Sequence, residues 1–147
     1  MAVEVDIYRE ERILQRSIGR DKIVDFLFTH LEQYGDEKKD ISACLDYVFN
    51  PDRGGIVLVA SENNQILGVC IINHTGMSGY IPEHILVYIA VDSAARGKGI
   101  GRKIMKAAIE NTEGNIALHV EPDNPAKILY EKLGFTNKYL EMRLNKS

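Results

Sequence analysis

The residues Arg96-Gly97-Lys98-Gly99-Ile100-Gly101 bring together the two things a phosphate group binds, open backbone N–H groups and fixed positive charge. Glycine carries no Cβ, so successive N–H groups can converge on one point. An apolar run beginning at Ile85 leads into this loop and a helical pattern reaching Glu110 leaves it, so the stretch reads as strand, loop, helix. The helix N-terminus adds partial positive charge where the loop ends. Arg96, Lys98, Arg102 and Lys103 add formal charge in a chain that is acidic overall. A diphosphate is the guest such a loop suits.

Spacing separates three loops that hold phosphates. The P-loop signature, which closes on Gly-Lys-Ser/Thr, is absent. A dinucleotide fingerprint would start well at Gly97 and Gly99, and Glu121 lies about twenty residues on, where a ribose-binding acid belongs; its third glycine, however, would fall on Arg102. What remains is Arg/Gln-x-x-Gly-x-Gly/Ala, met in full by Arg96, Gly99 and Gly101.

The elements that must position this loop follow from hydrophobic periodicity. Val3, Val5 and Ile7 alternate with polar residues and suit an opening strand. The stretch 9–20 shows no clear pattern. Asp21 can cap a helix carrying Ile23, Val24, Leu27, Phe28 and Leu31, which Gly35-Asp36-Glu37-Lys38-Lys39 breaks. A second helix spaces Ile41, Cys44, Leu45, Val48 and Phe49 at threes and fours and ends at Asn50-Pro51. Gly55 to Ala60 and Ile66 to Asn73 form a hairpin through the polar segment Ser61 to Gln65. His74 to Pro82 is a flexible connection to the central strand. The helix after the loop buries Gly101, Ile104, Met105 and Ala108. Asn115 to Glu121 is a further strand, and Asn124-Pro125 starts a helix with Ala126, Leu129, Tyr130 and Leu133 on one side. Gly134 closes that helix, and the alternating tail from Tyr139 to Leu144 is expected to add a last strand. With no repeat and no linker, residues 1–147 are expected to form a single domain, an α+β sandwich on a mixed sheet.

The stretch LHVEPDNPAKILYEKLGF, Leu118 to Phe135, adds a second motif in Asn124, Ala126, Leu129, Tyr130, Gly134 and Phe135. With both motifs in this order, the chain resembles the GNAT superfamily of acyl-CoA-dependent N-acyltransferases. Many members carry a proline where Ser93 stands, which leaves this turn less rigid. The resemblance implies a GNAT-like α/β/α sandwich whose mixed, largely antiparallel sheet is splayed at the acyl-CoA site. It implies that backbone amides from Arg96 through Gly97, Lys98, Gly99, Ile100 and Gly101 to Arg102 hold the pyrophosphate of acetyl-CoA. The pantetheine arm would lie against main-chain groups of Ile89, Ala90 and Val91, with Asn124 and Tyr130 completing the donor site.

The same resemblance implies direct attack of a neutral amine on the thioester. Tyr130 would donate a proton or hydrogen bond to the departing thiolate, and an N–H near Ile89 would meet the oxyanion. A glutamate on the central strand often serves as base. Glu83 is the acid nearest its start, on the same face as Ile85 and Ile89 unless a bulge intervenes. His84 faces the other way and is the reserve; water is the third possibility. The expected activity is an acetyl-CoA-dependent N-acetyltransferase acting on a primary amine. A peptide or protein N-terminal acetyltransferase and a non-catalytic acyl-CoA-binding regulatory module are the alternatives. Acids at Glu32, Asp36, Glu37 and Asp40 offer attraction to a cationic small-molecule or peptide acceptor.

Composition limits the partners. The 147 residues are 45% hydrophobic and 27% charged, and 18 basic against 21 acidic side chains give a net charge of −3. That balance argues against nucleic acid as a partner, since counterion release requires a basic face. No segment approaches the roughly twenty apolar residues of a membrane helix, and MAVEVDIYREE is acidic where a secretory signal is basic. Cys44 and Cys70 lie far apart in apolar surroundings and suggest buried thiols, with neither a disulfide framework nor a metal site. A cytoplasmic protein is expected, and an exposed C-terminal strand edge would let two copies pair as a homodimer.

Overall fold

The computed structural model describes residues 2–146. Five strands, β1 (Glu4–Tyr8), β2 (Gly55–Glu62), β3 (Gln65–His74), β4 (His84–Val91) and β5 (Ile116–Leu118), form one sheet in sequence order. The first three interfaces are antiparallel and the β4–β5 interface is parallel. The β2–β3 hairpin turns on Asn63 and Asn64, at φ 52° and 64°. Asparagine tolerates the left-handed region, and a turn of that hand matches the twist of the flanking strands.

Strands β2 and β3 read as continuous apolar runs because both faces of the sheet are covered. On one face lie α1 (Glu11–Ser17), α2 (Arg20–His30) and α3 (Lys38–Phe49). There Leu14, Ile23, Leu27, Ile41 and Leu45 pack against Val57, Val59, Val69, Ile71 and Tyr88. On the other face, α4 (Ile100–Glu110) and α5 (Ala126–Lys132) set Ile100, Ile104, Met105 and Tyr130 against Leu58, Cys70, Ile72 and Leu86. The architecture is the α/β/α sandwich on a mixed, largely antiparallel sheet that the sequence led us to expect.

Several details differ from the sequence reading. Helix α2 starts at Arg20 with Gly19, not Asp21, at its N-cap, and β5 is only Ile116–Leu118 where Asn115 to Glu121 was expected. Helix α1 lies in the stretch without a pattern; Leu14 is its one buried residue, so it has no apolar stripe to reveal it. Phe28 is 48% exposed and lies under the Lys38 ammonium, while Phe26 on the opposite flank of α2 packs inward against His30. The tail forms no strand: Tyr139, Leu140, Met142 and Leu144 are 78% to 87% exposed. Alternation describes a face, whereas a strand exists only where a second backbone takes its hydrogen bonds. Among the described residues, none does so for the tail.

Candidate functional site

Strand β4 meets β5 at three positions only, His84, Ile85 and Leu86 opposite Ile116, Ala117 and Leu118. Beyond Leu86 the two strands part. Val87 is the extra residue of a bulge, since Ile72 faces Leu86 while Ile71 faces Tyr88. The N–H of Asp92 donates to the Leu67 carbonyl at 2.8 Å, which places Asp92 on the β3 side of the ladder. Counting back through the antiparallel alternation, Tyr88 and Ala90 also bond to β3, and the N–H and C=O of Ile89 and Val91 turn toward the gap. The bulge has a second effect. Leu86 lies on the α4 face, Tyr88 and Ala90 lie on the α2–α3 face, and Ile89 and Val91 return to the α4 face. A bulge therefore does intervene between Glu83 and Ile89.

The chain leaves β4 through a turn fastened by Asp92, whose Oδ1 accepts the Ala94 N–H at 2.9 Å. This carboxylate turn stands where proline would otherwise stiffen the backbone beside Ser93. Gly97 and Gly99 then adopt φ of 82° and 79°, and α4 begins at Ile100. Among the described residues no protein acceptor engages the N–H groups of Gly97 through Arg102. A Cβ at Gly97 or Gly99 would meet nothing within 4 Å, so the space before the loop is open and glycine serves the backbone conformation. Gly101 serves packing: a Cβ there would lie 3.3 Å from Leu129 Cδ2 of α5. An array of free N–H groups at a helix N-terminus, with Lys98 and Arg102 alongside, fits a diphosphate.

The Arg96 guanidinium points elsewhere. Its Nε donates to the Val91 carbonyl at 3.3 Å, Nη1 to Glu32 Oε1 at 3.1 Å and Nη2 to the His30 carbonyl at 2.9 Å.

Tyr130 is buried against Phe135, with ring centroids 5.9 Å apart. Burial pushes its phenol pKa up, and the Cys70 thiol reinforces the shift. Cys70 faces Ile89 in the β3–β4 ladder, so this phenol lies beneath β4 near the residue whose N–H faces the gap. Pro125 is the N-cap of α5, where the sequence reading put Asn124; Asn124 Oδ1 instead accepts the Ala126 N–H at 2.9 Å in the turn that leads into the helix. Both cysteines are buried, and burial raises their thiol pKa values, Cys44 to about 11. Neither is primed as a nucleophile.

Glu83 and His84 stand at the opposite end of β4. Ile89 is six positions along the chain from Glu83, about 20 Å of extended strand. Glu83 Oε1 accepts the Asn115 N–H at 2.8 Å, and that bond holds its pKa below the usual carboxylate range. The His84 ring stacks edge-on against His74 with centroids 5.2 Å apart. Burial, and then the neighbouring His74, lowers its pKa. Both residues line a cleft of about 680 Å³ with Arg9 and Arg53. The fold thus gathers Ile89, Val91, the 96–102 loop and Tyr130, and does not bring Glu83 or His84 to them. Sequence reasoning did not reveal the contacts of Arg96 with His30 and Glu32. No local pattern marks partners more than sixty residues away.

The sequence model of the acetyltransferase (GNAT) domain matches residues 53–137, more than half of the chain. The chain belongs to the GNAT acetyltransferase family. The matched residues run from before β2 through the glycine loop to just past α5. Solved structures share the GNAT fold at full length. An integron cassette protein from the mobile metagenome of Vibrio cholerae is 22% identical, with a TM-score of 0.66 over 99% of this chain and 94% of that one. An aminoglycoside acetyltransferase from an uncultured soil metagenomic sample is 20% identical, with a TM-score of 0.69 and complete coverage of both chains. The aminoglycoside N-acetyltransferase AAC(6')-Iy, solved in complex with CoA, is 15% identical, with a TM-score of 0.66 over 99% and 97% of the two chains. No curated protein sequence matches. Among the described residues of this GNAT chain, no helix is long and apolar enough to cross a membrane.

Proposed function

We propose that this GNAT domain transfers an acetyl group from acetyl-CoA to a primary amine by direct attack in a ternary complex. The observation that carries the reading is the run of free N–H groups from Gly97 to Arg102, beside a gap onto which Ile89 and Val91 turn their main-chain groups. These amides, with Lys98 and Arg102, bind the donor's pyrophosphate. The pantetheine arm follows Val91 and Ile89 into the gap, and Asn124 holds α5 beside it.

The Ile89 N–H meets the thioester oxygen as negative charge develops on it. The acceptor must first shed a proton, because a lysine-like ammonium has a pKa of about 10.4. With Glu83 and His84 at the far end of β4, the role of taking the amine's proton falls to water in this reading. A nitrogen–carbon bond forms as the carbon–sulfur bond breaks; the nitrogen gives up its extra proton through water, and the departing thiolate, held by a hydrogen bond from Tyr130, takes a proton in return to leave as the free thiol. Burial raises the phenol's pKa and so makes full proton transfer to a thiolate, whose thiol has an ordinary pKa of about 8.5, uphill; Tyr130 therefore acts chiefly as a hydrogen-bond donor to the departing sulfur. The acceptor approaches from the α2–α3 side, where Asp36 is held by the Tyr88 hydroxyl at 2.6 Å.

Calorimetry with CoA and acetyl-CoA, followed by thiol release with polyamines, amino acids, aminoglycosides and peptides, tests the reading. Donor binding with thiol release on an amine is the expected result. Donor binding without turnover on any amine would make the domain a regulatory module. Absence of donor binding by well-folded protein would reject both.

A further inference from the structure

The segment from His30 to Asp36 touches both sides of the β4–β5 gap. On the β4 side, His30 Nδ1 accepts the Ser93 N–H at 3.3 Å, and its Nε2 lies 3.8 Å from Asp92 Oδ2. Arg96 reaches the same segment through the His30 carbonyl and the Glu32 carboxylate. Asp36 accepts the Tyr88 hydroxyl. On the β5 side, the Tyr34 hydroxyl donates to the Asp123 carbonyl at 3.3 Å, in the connection between β5 and α5.

The segment is held in a conformation it would not choose alone. Glu32 has φ 56°, left-handed backbone that costs a side-chain-bearing residue about 1–2 kcal/mol. Such a conformation persists where surrounding contacts over-determine it. Gly35 is required by close approach, since a Cβ there would lie 2.7 Å from Leu31 Cβ. The Arg96–Glu32 pair is 46% and 52% exposed, so its worth as a stabilising salt bridge is small. Its consequence lies in position. One guanidinium simultaneously grips the end of β4 through Val91, the end of α2 through His30, and Glu32, immediately before the glycines whose N–H groups are free.

We infer that Arg96 and Glu32 are positioning residues that tie the donor loop to the 30–36 segment, so that a diphosphate in the loop tightens the acceptor side of the gap. This rests on the donor-binding reading above. The Arg96 side chain then acts on the segment while the neighbouring backbone binds the anion. Coupling between two sites is reciprocal and commonly amounts to fivefold or more, and the Arg96 contacts are the physical link.

Hydrogen–deuterium exchange of the full chain, with and without CoA, tests this without knowledge of the acceptor. In the wild-type protein CoA should slow exchange at residues 97–102 and, about fivefold, at residues 30–36. In Glu32→Gln, protection at 97–102 should persist while protection at 30–36 vanishes, with the thermal unfolding midpoint within about 2 °C of wild type. Arg96→Lys keeps the charge but not the three-way grip, and should behave the same way. Undiminished protection at 30–36 in both variants overturns the inference, as does protection of wild type confined to 97–102. Absence of protection at 97–102 in wild type overturns the donor reading and the coupling with it.

Discussion

Leu86 and Leu118 face each other across the last rung joining β4 to β5. The groups to which the proposed mechanism assigns roles lie beyond that rung. Past it β4 keeps its ladder to β3 while its other edge is released, so among the described residues the main-chain groups of Ile89 and the N–H of Val91 face no neighbouring strand, and the Val91 carbonyl takes the Arg96 Nε.

Replacing Tyr130 with Phe should lower kcat about 10²-fold, the scale of losing a positioned hydrogen-bond donor. CoA affinity measured by calorimetry should stay within about twofold, because the ring still packs on Phe135. The phenol pKa is raised above its ordinary value of about 10. The donor form is therefore full across the physiological range, and the pH–rate profile should show no alkaline loss from Tyr130 below about pH 10. A wild-type kcat in Tyr130→Phe would remove the residue from the mechanism.

Gly99→Ala places a Cβ in open space but at φ 79°. The strain of about 1–2 kcal/mol should appear as a lowered unfolding midpoint or as a loop that rotates its N–H groups away. In the latter case CoA affinity should fall about tenfold, measured by calorimetry. An unchanged midpoint together with unchanged affinity would show that the left-handed turn is not required.

Lys98→Ala and Arg102→Ala should each weaken CoA binding several-fold at low salt. The double variant should lose most of the ionic-strength dependence seen in wild type, because exposed charges act through a field that salt screens. An unaltered salt dependence in the double variant would place the phosphates elsewhere.

Once an acceptor is found, Asp36→Asn should raise its KM about tenfold with a smaller effect on kcat, since a charge-assisted contact is lost. Tyr88→Phe should move KM in the same direction by releasing the carboxylate from its 2.6 Å bond. Steady-state kinetics with mono- and polyamines would show whether the effect grows with acceptor charge, as expected.

Glu83 should matter to acid stability. Its folded-state pKa is depressed by the Asn115 N–H, so its contribution is present above the unfolded value of about 4.3. That contribution is lost as pH falls through the lower folded value. Thermal unfolding of Glu83→Gln across roughly pH 3 to 6 should therefore show a flatter acid limb than wild type. An unchanged limb would mean that the Asn115 bond does not bind the ionised form preferentially.

What the sequence determined by itself is local. The 96–101 loop was legible because glycine spacing, the apolar strand before it and the helical period after it all lie within one short stretch. That Tyr130 turns inward was legible because Ala126, Leu129, Tyr130 and Leu133 fall on one side of the helix; a catalytic role for it came only with the family resemblance. The β2–β3 hairpin and the α3 stripe were legible for the same reason, since backbone propensity and periodicity act between near neighbours. Only the tertiary structure decided the phase of β4, because the bulge at Val87 is a property of its pairing with β3 and reverses every side chain after it. Pairing also decided that β5 ends at Leu118 and that the tail, alternating as it is, joins no ladder. The grip of Arg96 on His30 and Glu32 depends on how α2 crosses the end of β4. Such contacts form between segments distant in sequence, and no pattern within either segment encodes the other's position.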